Sequence, residues 1–404
     1  MLQVIDTVPS SVARTDVVRD DTYYLEDGSC ILLVESTLFN VHRSLLSKDS
    51  SMFGSMFELP QGEHVDGSSD DHPIHLDGET VAEFKNFLWI LYALPHELSL
   101  VTTPEIDLER LNRLIDIARI SSKYQFKSIE TWALDVITDH VNRKSPTPML
   151  SLSAVPPILT MPFTATPVAP TTMSSQMSPM TTSQAIASNG ALVSRLMRLG
   201  QLCGHEKLLS TMTGVLKQLM GFSIQYAHLA MMLADELDLR ALRGIAYFEV
   251  MQKANAIVAK SVPRDELGDS LLLDAEGRLI VSHEQKLRLL TGYYRLSTLW
   301  ERLRSAPLPL EHSPACGATW HQHGCTQCWL EFWKEKTKSD SVLQHGMADV
   351  LSRLRAVAKE FSRWGSATYM HTDCRIVARK MIQDKIKAVE DSLADYFADE
   401  ELVL

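Results

Sequence analysis

Cysteine is scarce in this sequence, with six residues in a chain of 404, which is too few for the disulfide framework of a small secreted domain. The first twenty residues carry acidic side chains and lack the apolar segment of a signal peptide. No uncharged apolar run approaches the roughly 18 residues that cross a bilayer. We therefore expect an intracellular chain with free thiols, in the cytoplasm or the nucleus, without a membrane partner.

Positive charge is also in short supply, and the net charge is −11. Residues 1–150 contain 12 Lys and Arg against 24 Asp and Glu, whereas residues 151–404 contain 27 against 26. An acidic surface repels phosphate backbones, and no basic run stands out in the nearly neutral part. The charge pattern therefore predicts no direct contact with nucleic acid.

Catalytic signatures are missing as well. The sequence has no nucleophile elbow, P-loop, Gly-x-Gly-x-x-Gly loop or His-Glu-x-x-His pair. Its 14 histidines are scattered, so spacing alone indicates no acid–base pair. We predict that the chain is not an enzyme. An enzyme in the C-terminal half stays open as an alternative, because residues distant in sequence can meet in a fold.

The longest gap in charge lies in the middle of the chain. Fifty residues between Lys144 and Arg195 contain no Asp, Glu, Lys or Arg, and they hold 8 of the 17 prolines. Repeated proline disfavours helix and sheet, and the Ser/Thr-rich remainder offers little to bury. We predict a flexible linker at 144–194. It separates an N-terminal tail (1–20) and a first domain (21–143) from a helical C-terminal domain (195–404).

The first domain combines strand and helix patterns. A short apolar run at 30–35 and the alternating residues 38–42 predict two strands, and Ile74–Leu76 predicts a third. Two short helices are expected after Arg43, with Ser50 or Ser51 as an N-cap, then a helix capped by Thr80. Two more helices are expected within 105–142, broken near Tyr124. The fold class expected here is α+β.

The C-terminal half has the 3.6-residue period of helices almost throughout. Helices are expected at 192–203, 206–220, 223–234, 238–259, 327–338, 341–363 and 375–397, and from Ser282 to Arg304. The apolar face of the Ser282 helix is predicted to be Leu287, Leu290, Tyr294, Leu296, Leu299 and Leu303. Residues 271–281 are predicted to form a small hairpin. This half is therefore expected to be a mainly all-α domain.

A motif begins in the second predicted strand and continues through the two short helices. Phe39-x-x-His42-Arg43-x-x-Leu46 is followed by Ser50-x-x-Phe53, and this pattern, with the element order above, resembles a BTB/POZ domain. The segments Tyr23–Gly28 and Gly292–Leu303 are similar to those of fungal BTB-domain proteins with a helical C-terminal region. The resemblance implies a protein–protein adaptor that self-associates and, in some relatives, recruits a cullin-type ubiquitin ligase. The alternative is a transcription-associated regulator that the domain dimerises.

A group of cysteines and histidines at 312–328 is the sharpest candidate site. Cys325-x-x-Cys328 is the usual half of a zinc site, and we predict structural zinc bound by Cys316, His323, Cys325 and Cys328. His321, His371 and Cys374 are alternative ligands. The competing interpretation is a set of reduced cysteines packed beside tryptophans, without metal, since free cysteine packs well in cores.

Overall fold

The computed structural model describes residues 17–60, 65–101, 107–143, 179–253, 257–259, 278–317, 319–364 and 369–398. Its contacts divide the chain into two compact units. The first unit is residues 1–152 with 195–211, and the second unit is residues 153–194 with 212–404. The predicted tail 1–20, apart from its last residues, and positions 144–178 of the predicted linker lie outside the described residues.

A four-stranded mixed sheet forms the base of the first unit. Its strands are β1 (Val18–Tyr24), β2 (Cys30–Val34), β3 (Thr37–Val41) and β4 (Ile74–Leu76), in the order β1-β3-β2-β4. The pair β2–β3 is antiparallel, with Leu32 opposite Phe39, whereas β1 pairs in parallel with β3 and β4 pairs in parallel with β2. The sequence did not predict β1, which begins inside the expected tail, because an exposed edge strand reading VRDDTYY lacks apolar alternation.

Six helices complete the α+β part of this unit. They are α1 (Arg43–Leu46), α2 (Met52–Phe57), α3 (Val81–Tyr92), α4 (Pro95–Val101), α5 (Leu108–Lys123) and α6 (Lys127–Arg143). Thr80 caps α3 in a reciprocal capping box with Glu83. Tyr124 ends α5, and Gln125 has a φ of 63° before Phe126 enters the core. The α+β class and the break near Tyr124 are confirmed.

The rest of the described chain is mainly helical, as predicted. Its helices are α7 (Pro179–Leu202), α8 (Glu206–Met220), α9 (Ile224–Glu236), α10 (Arg240–Gln252), α11 (His283–Ser305), α12 (Thr319–Lys336), α13 (Asp340–Leu343), α14 (Val350–Trp364), α15 (Thr372–Asp391) and α16 (Leu393–Tyr396). Helix α7 begins inside the predicted linker. A helix needs no charge, and Pro179 is tolerated at its first position.

The boundary expected at residue 195 differs from the division in the structure, since residues 195–211 belong to the first unit. Arg195 donates to the carboxylate of Asp116 at 2.7 Å and to the side-chain oxygen of Asn112 at 2.6 Å, both on α5. Asp116 is buried, so its charge needs such a partner. Sequence periodicity does not reveal this pairing, which joins residues 79 positions apart.

One expectation for the region 238–281 is wrong, and another falls largely outside the described residues. The helix predicted over 238–259 ends at Gln252, and strand β5 (Ile257–Ala259) follows. Strand β6 (Leu279–Val281) is the last part of the predicted hairpin, and it pairs in parallel with β5. Ile257, Val258, Ile280 and Val281 are β-branched, which favours strand. Residues 271–277 of the predicted hairpin lie outside the described part of the chain.

The buried side of α11 also differs from the prediction. Leu287, Leu290 and Tyr294 are 64%, 58% and 71% exposed. The buried residues are Gln285, Leu289, Gly292, Leu296, Trp300 and Leu303. Apolar residues occupy every side of this helix, so periodicity did not determine which side packs. Leu296 and Leu303 belong to both sets, and the N-cap Ser282 is confirmed by its capping box with Gln285.

His228 on α9 links this helix to strand β6. Its Nε2 lies 3.0 Å from the carbonyl oxygen of Ile280 and donates to it. Its Nδ1 finds no hydrogen-bond partner within the described ranges. Burial lowers the pKa of His228 to about 4, because a buried imidazolium loses its hydration. The ring is therefore neutral in the folded protein.

The free energy of unfolding is expected to fall by about 3 kcal/mol as the pH drops from about 6.5 to about 4. Only the unfolded chain takes up the proton of this ring over that range, and below it both states are protonated. Urea unfolding as a function of pH, compared with His228→Gln, measures the contribution. The exposed His321→Gln is the control and should retain the full pH dependence. A His228→Gln profile identical to that of the wild type would contradict the assignment.

Candidate functional site

Three of the motif residues in the first unit lie in its core. Phe39 on β3 packs edge-on against Phe84, with ring centroids 5.2 Å apart. Leu46 on α1 is fully buried. Phe53 on α2 stacks on Tyr124 at 4.5 Å. These residues hold the short helices against the sheet, so their role is to build the surface that the helices present.

The polar motif residues organise the junction between β3 and α1. The hydroxyl of Tyr92 accepts from the backbone N–H of His42 and lies 2.8 Å from His42 Nδ1. His42 Nε2 lies 3.3 Å from Asp27, and the guanidinium of Arg43 lies 4.3 Å from the Phe57 ring. These contacts fix the junction between the end of β3 and the start of α1.

Ser50, the fifth motif position, is exposed and has a φ of 53°. The N-cap of α2 is its neighbour Ser51, whose Oγ accepts from the backbone N–H of Gly54 at 3.3 Å. Ser51 is buried and also donates to the carbonyl oxygen of Leu46. Of the two residues that the sequence offered as caps, the structure selects Ser51.

A ridge of apolar side chains runs along α2, and we call Met52, Met56 and Leu59 the α2 ridge. Met52 is 49% exposed, Leu59 is 62% exposed and Met56 is partly buried. Met52 and Met56 are one turn apart on α2, where Met56 packs partly against the core, and Leu59 follows the end of the helix at Phe57. Exposed apolar residues grouped in this way are typical of protein interaction sites.

The edge strand β1 is a second candidate surface in this unit. It lies at the end of the sheet order, and Val18 at its start is 60% exposed. Its next residues, however, are Arg19, Asp20 and Asp21, and Lys85 pairs with both acids at 2.8 and 3.3 Å. Charged residues on an edge strand oppose pairing with another chain. The α2 ridge is therefore the better candidate.

The second unit brings together one histidine and three cysteines, which we call the Cys/His cluster: His312, Cys316, Cys325 and Cys374. Their ligand atoms all lie within 4.8 Å of one another. His312 follows α11, Cys316 ends the short turn Pro314–Cys316, Cys325 is on α12 and Cys374 is on α15. Burial raises the pKa of the Cys316 thiol to about 12, and hydrogen bonding and charge repulsion between it and the Cys374 and Cys325 thiols act in the same direction.

The cluster contains two of the four metal ligands predicted from sequence, Cys316 and Cys325, and excludes His323 and Cys328. His323 is exposed and Cys328 is partly buried on α12. The C-x-x-C step lies inside the continuous helix α12, and only its first thiol, that of Cys325, belongs to the cluster. Residues two apart, such as 323 and 325, point to opposite sides of a helix. The sequence offered Cys374 as an alternative ligand and did not identify His312.

Trp329 and Trp333 pack in the core beside this cluster, with ring centroids 5.2 Å apart. Both are fully buried. Their indole N–H groups donate to the carbonyl oxygens of Leu308 and Leu303, each at 2.7 Å. The tryptophans therefore anchor the chain that leaves α11 and carries His312, and they do not form an open aromatic pocket.

A family model described as the BTB/POZ domain matches residues 27–136. The search of curated proteins and the search of solved structures found no match. Every helix in the described part of the chain is too short or too polar to cross a lipid bilayer. The sheet, the motif residues and the family match agree, so residues 27–136 are a BTB/POZ domain, a module of protein–protein interaction, in a chain whose remaining described part is mainly helical.

Proposed function

We propose that this chain is a non-enzymatic adaptor that self-associates through its BTB domain. The observation that carries the proposal is the α2 ridge, because Met52 and Leu59 leave about half or more of their surface exposed on a small acidic domain. Burying such side chains against a second copy removes apolar surface from water. An adaptor of this kind acts inside the cell, in the cytoplasm or the nucleus.

Charge works against self-association of this domain at low salt. Residues 1–150 contain twice as many acidic as basic residues, so two copies repel one another over the range of the Debye length. Apolar contact on the α2 ridge acts only at short range and is not weakened by salt. We therefore expect the association to strengthen between 20 mM and 300 mM salt, the opposite of an association held by ion pairs.

Met52→Glu is expected to weaken self-association at least about tenfold, since a buried unpaired carboxylate costs more than 1.4 kcal/mol at an interface. The side chain is exposed on α2, so the fold should tolerate the change. Sedimentation velocity of the full chain over a concentration series measures the effect.

Leu108→Glu is the matched control, because Leu108 is 42% exposed on α5 of the same unit. It should associate like the wild type. Equal association of all three proteins would show that the α2 ridge is not the contact surface. A wild-type chain that stays monomeric at every concentration would overturn the proposal of self-association itself.

Recruitment of a cullin-type ubiquitin ligase scaffold is a second candidate function. It is supported by the layout of the chain, in which a BTB/POZ domain and a mainly helical part belong to two compact units. Mixing the purified full chain with a purified cullin N-terminal fragment and measuring the mass of the complex tests it. A complex that survives Met52→Glu would place the cullin on another surface, and no complex at micromolar concentrations would remove this candidate.

A further inference from the structure

We propose that His312, Cys316, Cys325 and Cys374 bind one structural zinc ion in the helical unit. Zinc bonds of about 2.3 Å to sulfur and 2.1 Å to nitrogen place tetrahedral ligand atoms about 3.6–3.8 Å apart. The Cys316 and Cys325 sulfurs are 3.9 Å apart, and Cys374 Sγ is 3.8 Å from His312 Nδ1. All four ligand atoms lie within 4.8 Å of one another, so small side-chain movements complete the tetrahedron.

The hydrogen bonds of His312 prepare its Nδ1 for a metal. Its Nε2 lies 3.0 Å from Thr326 Oγ1. The hydroxyl of Thr326 donates to the carbonyl oxygen of Gln322 at 3.1 Å, so its oxygen is left to accept from His312 Nε2–H. This places the ring proton on Nε2 and the free lone pair on Nδ1, which faces Cys374. Metal-binding histidines commonly have such an outer partner.

The surroundings of the sulfurs favour a closed site. Cys316, Cys325 and Cys374 are 4%, 2% and 0% exposed. The backbone N–H of His371 donates to the Cys325 sulfur at 3.3 Å, a contact that stabilises a thiolate ligand. Four protein ligands leave no position for water, and residues 312–330 contain no carboxylate. The donor set therefore suits a structural ion rather than a catalytic one.

The alternatives to zinc explain less of this geometry. The sulfurs of Cys316 and Cys325 are 3.9 Å apart, almost twice the length of a disulfide bond. Reduced core cysteines have no requirement for a histidine whose lone pair is aimed at them. The zinc site also has a clear structural effect, because it joins the loop after α11, the helix α12 and the helix α15, whose ligands span 62 positions of sequence.

The test is the zinc content of the full chain, without a histidine tag, measured by elemental analysis after purification without added metal. We expect about one zinc per chain in the wild type. Cys325→Ser should retain less than about a fifth of it, whereas Cys328→Ser, three residues along the same helix, should retain all of it. His312→Ala and His323→Ala form a second matched pair, of which only the first should lose the metal.

Loss of zinc in Cys328→Ser or His323→Ala, with zinc retained in His312→Ala, would overturn this ligand set. A wild type that binds no zinc even after incubation with the ion would overturn the site. Because Cys325→Ser can fail to fold, cobalt(II) titration of the wild type is a second measurement. Thiolate-to-cobalt absorption with one equivalent is expected, and its absence would also contradict the site.

Discussion

Replacing Trp333 with alanine is expected to destabilise the helical unit by about 3–5 kcal/mol. The indole is fully buried against Trp329, so its removal leaves a large cavity. It also takes away the donor that satisfies the carbonyl oxygen of Leu303 at 2.7 Å, and a buried acceptor without a partner adds to the loss. Urea unfolding followed by circular dichroism measures the free energy of unfolding.

Two variants separate the cavity from the hydrogen bond. Trp333→Phe retains most of the volume and loses the N–H donor, so it should cost about 1–3 kcal/mol. Trp320→Ala, on the same helix but 71% exposed, should change the stability by less than about 0.5 kcal/mol. If Trp333→Ala were as stable as Trp320→Ala, the position of the indole in the core would be wrong.

Gly244→Ala is expected to destabilise the same unit by about 2–3 kcal/mol, although alanine normally favours a helix. A Cβ at this position of α10 would lie 2.4 Å from the backbone nitrogen of Ala394 and 2.8 Å from its Cα. These are backbone atoms of α16, so no rotamer change relieves the clash. The helix α16 must move away from α10, which loosens the packing of Tyr247 against Phe397.

Gly214→Ala is the control for the intrinsic effect of the substitution. Gly214 lies within α8, and an added Cβ would meet no atom within 4 Å. This variant should therefore be more stable than the wild type by up to about 1 kcal/mol. Thermal melts of both variants test this, because we expect Gly244→Ala to lower the melting temperature and Gly214→Ala to raise it. A stabilised Gly244→Ala would contradict the close approach of the two helices.

The secondary structure of the BTB/POZ domain is more predictable from sequence than that of the helical part of the chain, because the sequence signals for it are local. The strands at Cys30 and Thr37, the capping box at Thr80 and the break after Tyr124 each depend on neighbouring residues. Strand β1 was missed because it is an exposed edge. Its only buried residue is Asp20, which pairs with Lys85 from a different element, and a single sequence does not reveal such pairings.

The helical half shows what periodicity leaves undetermined. In α11 the exposed and buried sides are both apolar, and the close approach of Phe397 to Gly292, where a Cβ would lie 2.0 Å from the ring, marks the packed side. Glycine in the middle of an apolar helix was the signal that the sequence contained. It indicates close packing of another element.

The Cys/His cluster was half predictable for a related reason. Its ligands come from a loop, a short turn and two helices, so only their residue types were visible in the sequence. The C-x-x-C spacing suggested a turn, but α12 continues through it as a helix. His312 is the member of the cluster that spacing did not identify, because its place there depends on the distant Cys374 and on Thr326.

Native mass spectrometry of the untagged full chain is the most direct test of the central proposal, that the BTB domain makes this protein self-associate. We expect a species of twice the 45.3 kDa chain mass, or a higher multiple, and Met52→Glu should convert it largely to single chains at the same concentration. A wild type that gives only the single-chain mass across the micromolar range would contradict it.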